Sequence, residues 1–107
     1  YGPQNNGCNN CRGVITISST SGQITKNEEY YSIAHFSKFV RPGAVRIATT
    51  LPQSLSDVGV VGFQNSDGSK VLVVCNYSSS THSFSVSQGK NNFSYAVPQK
   101  SVATLVW

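Results

Sequence analysis

The sequence predicts a mainly β fold, in which an antiparallel β-sandwich follows a single strand–helix unit. One amphipathic helix is predicted, over residues 28–40, and Pro42-Gly43 ends it. After Gly43 the apolar pattern changes from a helical period to short runs separated by turn residues, and it does not change back. This change of period predicts two parts, residues 1–43 and residues 44–107.

The first part contains one predicted strand and the helix. Residues 13–18 (GVITIS) are almost continuously β-branched, which is typical of a parallel strand buried on both faces. Thr25 and Glu28 have the spacing of a capping box, and Asn27 is the alternative N-cap. Apolar side chains cover much of helix 28–40, so we expect protein to enclose most of it. A single strand–helix unit cannot cover both faces of its strand, and we therefore expect the natural protein to extend upstream.

The second part predicts six short strands. Turn signals separate them, among them Asp67-Gly68, a dipeptide typical of β-hairpins. Short strands at regular spacing indicate an antiparallel sandwich. The predicted strands are residues 44–51, 58–65, 70–77, 82–87, 93–97 and 101–107.

Composition and charge argue against several classes of partner. The net charge is +4, but the basic residues are scattered, whereas a nucleic-acid site needs a clustered basic face with interleaved aromatic residues. No apolar run approaches the about 20 residues that span a bilayer. We therefore predict no nucleic-acid partner and no transmembrane segment.

The cysteines predict a disulfide rather than a metal or redox site. Cys8 and Cys11 form a C-x-x-C in a loop rich in glycine and asparagine, and no second pair with zinc spacing accompanies them. A thioredoxin-like motif would follow a strand and open a helix, whereas this one precedes a strand. We predict a local Cys8–Cys11 disulfide and a buried thiol at Cys75.

Two N-glycosylation sequons occur, Asn76-Tyr77-Ser78 and Asn92-Phe93-Ser94. Such triplets are short and arise often by chance. Together with the predicted disulfide they favour a secretory compartment, and we predict Asn76 and Asn92 as acceptors.

No group of side chains predicts a catalytic centre. Glu28 and Glu29 are explained as residues at the positive end of the helix, and Asp57 and Asp67 as turn residues. His35 lies within the helix with no nucleophile near it in sequence, so we expect a packed or capping histidine. We predict no catalytic residue, no metal ligand and no cofactor.

Two loops are candidates for ligand contact. Loop 1–11 is rich in asparagine, whose side chain donates and accepts hydrogen bonds and so suits sugar hydroxyls. Loop 18–23 follows the predicted strand, and the active sites of α/β barrels lie at that end of their strands. Spacing alone favours the second loop.

Three segments resemble the C-terminal part of glycoside hydrolase family 30, which includes lysosomal glucosylceramidase and microbial endo-β-1,6-glucanases and xylanases. They are YYSIAHFSKFVRPGAVRI (residues 30–47), DGSKVLVVCNYSS (67–79) and SVATLVW (101–107). The opening GCNNCRGVITI (7–17) is similar to the family's last barrel strand with the loop before it. The H-F-S-K-F segment followed by R-P-G is the most specific part.

The resemblance implies a (β/α)8 barrel with a β-sandwich side domain. Residues 1–43 would be the last strand–helix unit of the barrel. Residues 44–107 would form most of the side sandwich, whose remaining strand comes from the enzyme's N-terminus. Members are retaining β-glycosidases that use two glutamates on a β-linked glycan or glycolipid. Both glutamate motifs would lie upstream, and neither Glu28 nor Glu29 matches them.

The resemblance also implies one substrate contact and a location. By position, Asn9 or Asn10 matches an asparagine near the sugar site, which opposes the spacing argument for the second loop. The expected location is secreted, extracellular or lysosomal.

Two functions therefore compete. The first is the C-terminal part of a retaining β-glycoside hydrolase, which is inert alone and closes and braces the barrel. The second is an autonomous secreted β-sandwich that binds carbohydrate or protein. The enclosed-looking helix and the unpaired strand 13–18 argue against the second, since an independent module should not need them.

Overall fold

The structure is a computed structural model that describes residues 6–7 and 11–107. It contains two compact units. One unit ends at Ala34, and the other runs from His35 to Trp107. The boundary falls inside helix α1 (Glu28–Ser37).

The N-terminal unit contains an antiparallel hairpin of two short strands, β1 (Ile15–Ile17) and β2 (Ile24–Lys26), with Thr16 opposite Thr25. The amide of Gly22, which has a φ of +70°, donates to Ser18 O at 2.8 Å and closes the connecting loop.

Two expectations for this unit are wrong. Strand 13–18 was expected to be a parallel strand, yet β1 pairs with β2 in the antiparallel direction. Its side chains Ile15 and Ile17, 43% and 59% exposed, are not covered by the described residues. The pairing is a hairpin with the next segment of chain, and a β-branched run does not reveal the direction of its neighbour. Thr25 does not cap the helix, because it lies in β2. The run Ile24–Lys26 is too short for its β pattern to stand out against the capping-box spacing.

Asn27 precedes the helix and is buried. Its Nδ2 donates to Gly13 O at 2.7 Å and to Thr16 Oγ1 at 2.9 Å. The side chain thus fastens the chain entering the helix to the start of the hairpin.

Helix α1 ends at Ser37 rather than at residue 40. The amides of Phe39 and Val40 both donate to Phe36 O, at 3.1 and 2.8 Å, which converts the last residues of the predicted helix into a turn. Gly43, with a φ of +85°, follows. None of the helix residues is buried, so the expected enclosure is not provided by the described residues.

The C-terminal unit contains six strands, which confirms the prediction of a mainly β, antiparallel fold. Four of them form one sheet in the order β3-β4-β5-β8, and β6 and β7 form a second sheet as a hairpin. All neighbouring strands are antiparallel. Their bounds are β3 (Val45–Ile47), β4 (Val58–Gln64), β5 (Lys70–Asn76), β6 (His82–Gln88), β7 (Asn91–Val97) and β8 (Ser101–Val106).

The core lies between the two sheets. Leu72 and Val74 of the central strand β5 pack with Val58 and Val97, and Val74 and Val97 have no exposed surface. Around them are half-buried residues of both sheets, among them Val60, Phe84, Val86, Leu105 and Trp107. Alternation along each strand places these side chains on the inner face, as expected of a sandwich.

The outer face of the four-stranded sheet is also covered. Val73 on this face is buried and lies opposite Thr104. Phe63 contacts Phe36 edge to face, with ring centroids 6.3 Å apart. Strand β5 is therefore buried on both faces, which explains its uninterrupted apolar sequence.

Candidate functional site

The residues predicted to contact substrate, Asn9 and Asn10, lie outside the described residues, as does Cys8. The Cys8–Cys11 disulfide and the sugar contact therefore stay predictions. Cys75 is a free thiol on β5 and is only partly buried.

The two glutamates at the helix start are held by one arginine. Arg12 donates to Glu28 and, at 3.1 and 3.2 Å, to both carboxylate oxygens of Glu29. Hydrogen bonding to the backbone of Glu29 itself, and then to Arg12, lowers the pKa of Glu29. The general acid of a glycosidase needs a raised pKa, whereas the pKa of Glu29 is lowered, so Glu29 does not suit that role.

Asp67 sits in the turn between β4 and β5. Its carboxylate accepts from Ser69 Oγ at 2.6 Å, from Ser69 N at 3.0 Å and from Arg41 Nη1 at 2.6 Å. The Ser69 hydroxyl, the Ser69 amide and the nearby Arg41 lower the pKa of Asp67. These contacts identify Asp67 as a structural turn residue.

Asn65 joins the same turn to the segment after the helix. The side chain is buried, with 3% of the residue exposed. Its Nδ2 donates to Phe39 O and to Ser69 Oγ, both at 3.0 Å, and its Oδ1 accepts from Arg41 N at 2.9 Å. All of these partners belong to one unit, so Asn65 holds the turn after α1 against the β4–β5 hairpin.

His35 has a reciprocal pair of hydrogen bonds with β8. Its Nδ1 lies 2.9 Å from Thr104 Oγ1, and Thr104 Oγ1 donates to His35 O at 3.2 Å. The carbonyl of His35 is one of the last of the helix and has no partner within it, so Thr104 satisfies it. This confirms His35 as a packed histidine.

A cleft of about 310 Å³ lies between the sheets of the C-terminal unit. One wall is formed by residues 84–88 of β6. The other is formed by β3, β4 and the segment between them. Strand β6 pairs only with β7 within the described residues, so its other edge is free. The principal apolar lining residues are Ile47, Leu51, Val60, Leu72, Phe84 and Trp107.

The two sequons lie in different environments. Asn76 is 1% exposed, and its Nδ2 lies 2.8 Å from Ser80 O, 3.2 Å from Val97 O and 3.0 Å from Pro98 O. Its Oδ1 accepts from the amide and hydroxyl of Ser78 at 3.0 and 2.8 Å. Asn92 is exposed on β7.

The sequence did not predict that Thr104 would bind His35 or that Asn65 would bind the turn after α1. Thr104 and Asn65 each act through a partner far along the chain, 69 and 26 positions away respectively. The only local signal was for Asn65, which opens the Asn-Ser-Asp-Gly turn.

Residues 35–107 thus form an antiparallel β-sandwich domain, open on one side of its core and fastened to the end of a helix. Residues 43–105 match the family model described as the glycosyl hydrolase family 30 beta sandwich domain. The chain therefore belongs to glycoside hydrolase family 30.

Known proteins of this family resemble nearly the whole chain. The solved endo-β1,6-glucanase BT3312 has a TM-score of 0.87 and 39% identity, over 99% of this chain and 24% of its own. Endo-1,6-β-D-glucanase neg1 of Aspergillus fumigatus is 32% identical over 94% of this chain and 21% of its own length. Lysosomal acid glucosylceramidase of Mus musculus is 35% identical over 87% of this chain and 18% of its own length.

These relatives are much longer than this chain, which spans about a fifth of their length. Among the residues that the structure describes, no helix is long and apolar enough to cross a membrane.

Proposed function

We propose that this chain is the C-terminal part of a retaining β-glycoside hydrolase. In this proposal residues 1–43 are the last strand–helix unit of the barrel and residues 44–107 its β-sandwich side domain. The catalytic glutamates lie upstream, and the chain alone is inactive. The observation that carries the proposal is the similarity of almost the whole chain to only about a fifth to a quarter of the length of family members.

Exposed apolar side chains in the N-terminal unit support it. Ile17 is 59% exposed, Ile24 62%, Tyr31 57% and Ile33 52%. Large apolar side chains exposed together on one small unit mark a surface that contacts other protein. The edge of β1 opposite β2 is also unpaired within the described residues, which leaves it available to a neighbouring barrel strand.

The open cleft supports the same proposal for the sandwich. A further strand on the free edge of β6 would continue that sheet and cover apolar residues such as Ile47 and Val60. We propose that this strand comes from the N-terminal part of the parent protein.

The proposed substrate is a β-linked glycan or glycolipid, bound by the barrel of the parent. Relatives named as endo-1,6-β-glucanases and as a glucosylceramidase support a β-glucosyl substrate. Asn9 or Asn10 would lie near the sugar, the Cys8–Cys11 disulfide would stiffen their loop, and the protein would be secreted or lysosomal.

The test compares the purified chain with its full-length parent on an aryl β-glucoside, β-1,6-linked glucan and glucosylceramide. We expect turnover of at least one substrate by the parent and none by the chain. Turnover by the chain alone would contradict the assignment of catalysis to upstream residues. Retention of the chain on β-glucan, without an active parent, would support an autonomous binding module instead.

A further inference from the structure

The buried sequon cannot carry a glycan in the folded domain. The Asn76 side-chain nitrogen has two hydrogens, and it faces three carbonyl oxygens in a space that excludes solvent. A sugar on this nitrogen would remove one donor and would have to displace the chain between Val97 and Pro98. Buried carbonyl groups left without a donor destabilise a fold, so molecules modified at Asn76 before folding would not reach the native state.

The acceptor of the second sequon, Asn92, is exposed rather than buried. Asn92 lies opposite Ser87 in the hairpin and is the second residue after the Gly89-Lys90 turn, and both side chains are exposed. The middle residue of the sequon, Phe93, faces inward and contacts Trp107 at a centroid distance of 5.1 Å. Since neighbouring side chains of a strand point to opposite faces, Asn92 must point outward. Its side chain has no hydrogen-bond partner among the described residues.

The face on which Asn92 lies is unusual for a two-stranded sheet whose outer edges are unpaired among the described residues. Every side chain on it is small, and none is charged, although natural proteins commonly use charged side chains to prevent edge-to-edge association. Ser85 and Ser94 hydrogen-bond across this face at 2.9 Å. Its exposed residues are Ser83, Ser85, Ser87, Asn92, Ser94 and Ala96.

We propose that Asn92, and not Asn76, carries an N-linked glycan in the folded protein, and that this glycan covers the serine-rich outer face of the β6–β7 hairpin. The proposal rests on the secretory location proposed above. In the transfer step the Asn92 side-chain nitrogen bonds to C1 of the first sugar of a lipid-pyrophosphate-linked oligosaccharide. The bond from C1 to the pyrophosphate oxygen breaks, the lipid pyrophosphate leaves, and the nitrogen loses one proton.

In the test the chain is directed into the secretory pathway, so the result depends neither on the native location nor on hydrolase activity. The chain is produced in eukaryotic cells behind a cleavable leader, and the protease-resistant fraction is collected from medium and cells. Peptide-N-glycosidase in isotope-labelled water then marks each formerly glycosylated asparagine as labelled aspartate, which peptide mass spectrometry locates. We expect the label at Asn92 and none at Asn76.

Two variants at one position form a matched pair. Ser94→Ala destroys the sequon, whereas Ser94→Thr keeps it, and both alter the contact with Ser85. We expect one glycan on S94T and none on S94A, and more light scattering from concentrated S94A than from S94T. Label at Asn76 in the protease-resistant fraction, or its absence at Asn92, would overturn the choice of site. Equal scattering by the two glycoforms would overturn the covering role.

Discussion

At the scale of single residues, the acidic side chains show what the sequence could and could not predict. Asp67 was predicted as a turn residue because Asp-Gly is a local signal. Its partner Arg41 lies 26 positions earlier and has no such signal, since the contact depends on how the turn after α1 meets the hairpin. For the same reason Arg12 was not predicted to hold Glu28 and Glu29, 16 and 17 positions away.

The lowered pKa of Asp67 makes a prediction about acid stability. A carboxylate whose pKa is lower in the folded than in the unfolded state stabilises the fold above the unfolded value of about 3.9, and this contribution is lost as the pH falls through the folded pKa. We therefore expect wild-type protein to be more stable than Asp67→Asn at pH 6, with the difference shrinking below about pH 4. Urea unfolding at a series of pH values measures it.

Ser69→Ala is the matched variant, because the Ser69 hydroxyl is the largest cause of the lowered pKa. In S69A the folded pKa of Asp67 lies closer to the unfolded value, so the stability lost on acidification should be smaller than in wild type and its loss should be complete at a higher pH. A stability difference between wild type and D67N that stayed constant from pH 6 to pH 3 would contradict this account.

At the scale of elements, the strands of the C-terminal unit were predictable because each has an alternating or continuous apolar pattern bounded by turn residues. Strand β2 was not predicted, since three residues cannot show a period. The pairing of β1 was predicted wrongly as parallel, because a β-branched run indicates a strand but not the direction of its neighbour.

The side chain of Asn65 connects the turn after α1 to the β4–β5 hairpin. Asn65→Ala removes a buried amide and its hydrogen bonds to Phe39 O, Arg41 N and Ser69 Oγ. We expect a loss of about 2 kcal/mol in the free energy of unfolding, measured in urea. Asn91→Ala, at an exposed position in the β6–β7 hairpin, should cost less than about 0.5 kcal/mol. Equal effects of N65A and N91A would show that Asn65 does not hold the elements together.

At the scale of the whole molecule, the family could be recognised from segments such as H-F-S-K-F, and the comparisons confirm it. The candidate substrate residues could not be placed, because Cys8, Asn9 and Asn10 lie outside the described residues. The apolar surface of the N-terminal unit was expected from the sequence, since a lone strand–helix unit lacks the chain needed to cover it.

If the parent protein covers this surface, substitutions on it should affect the isolated chain and the full-length parent differently. In the isolated chain, Ile17→Ser with Ile24→Ser should change the free energy of unfolding by about 1 kcal/mol or less and raise solubility, because both side chains are already exposed. In the full-length parent the same double substitution should lower the yield of active enzyme several-fold.

Val74→Ser is the control for the isolated chain. Val74 has no exposed surface, so a hydroxyl there should cost about 3 kcal/mol or more. A parent enzyme unaffected by the I17S/I24S substitution would argue that nothing packs on this surface.

The reciprocal contact between His35 and Thr104 has a consequence for the imidazole proton. The single hydroxyl hydrogen of Thr104 is donated to the His35 carbonyl, so the hydroxyl can only accept from the ring, and the neutral ring must carry its hydrogen on Nδ1. Both contacts of His35 therefore depend on one hydroxyl of β8, and a side chain without it at position 104 would release the end of helix α1 from the sheet.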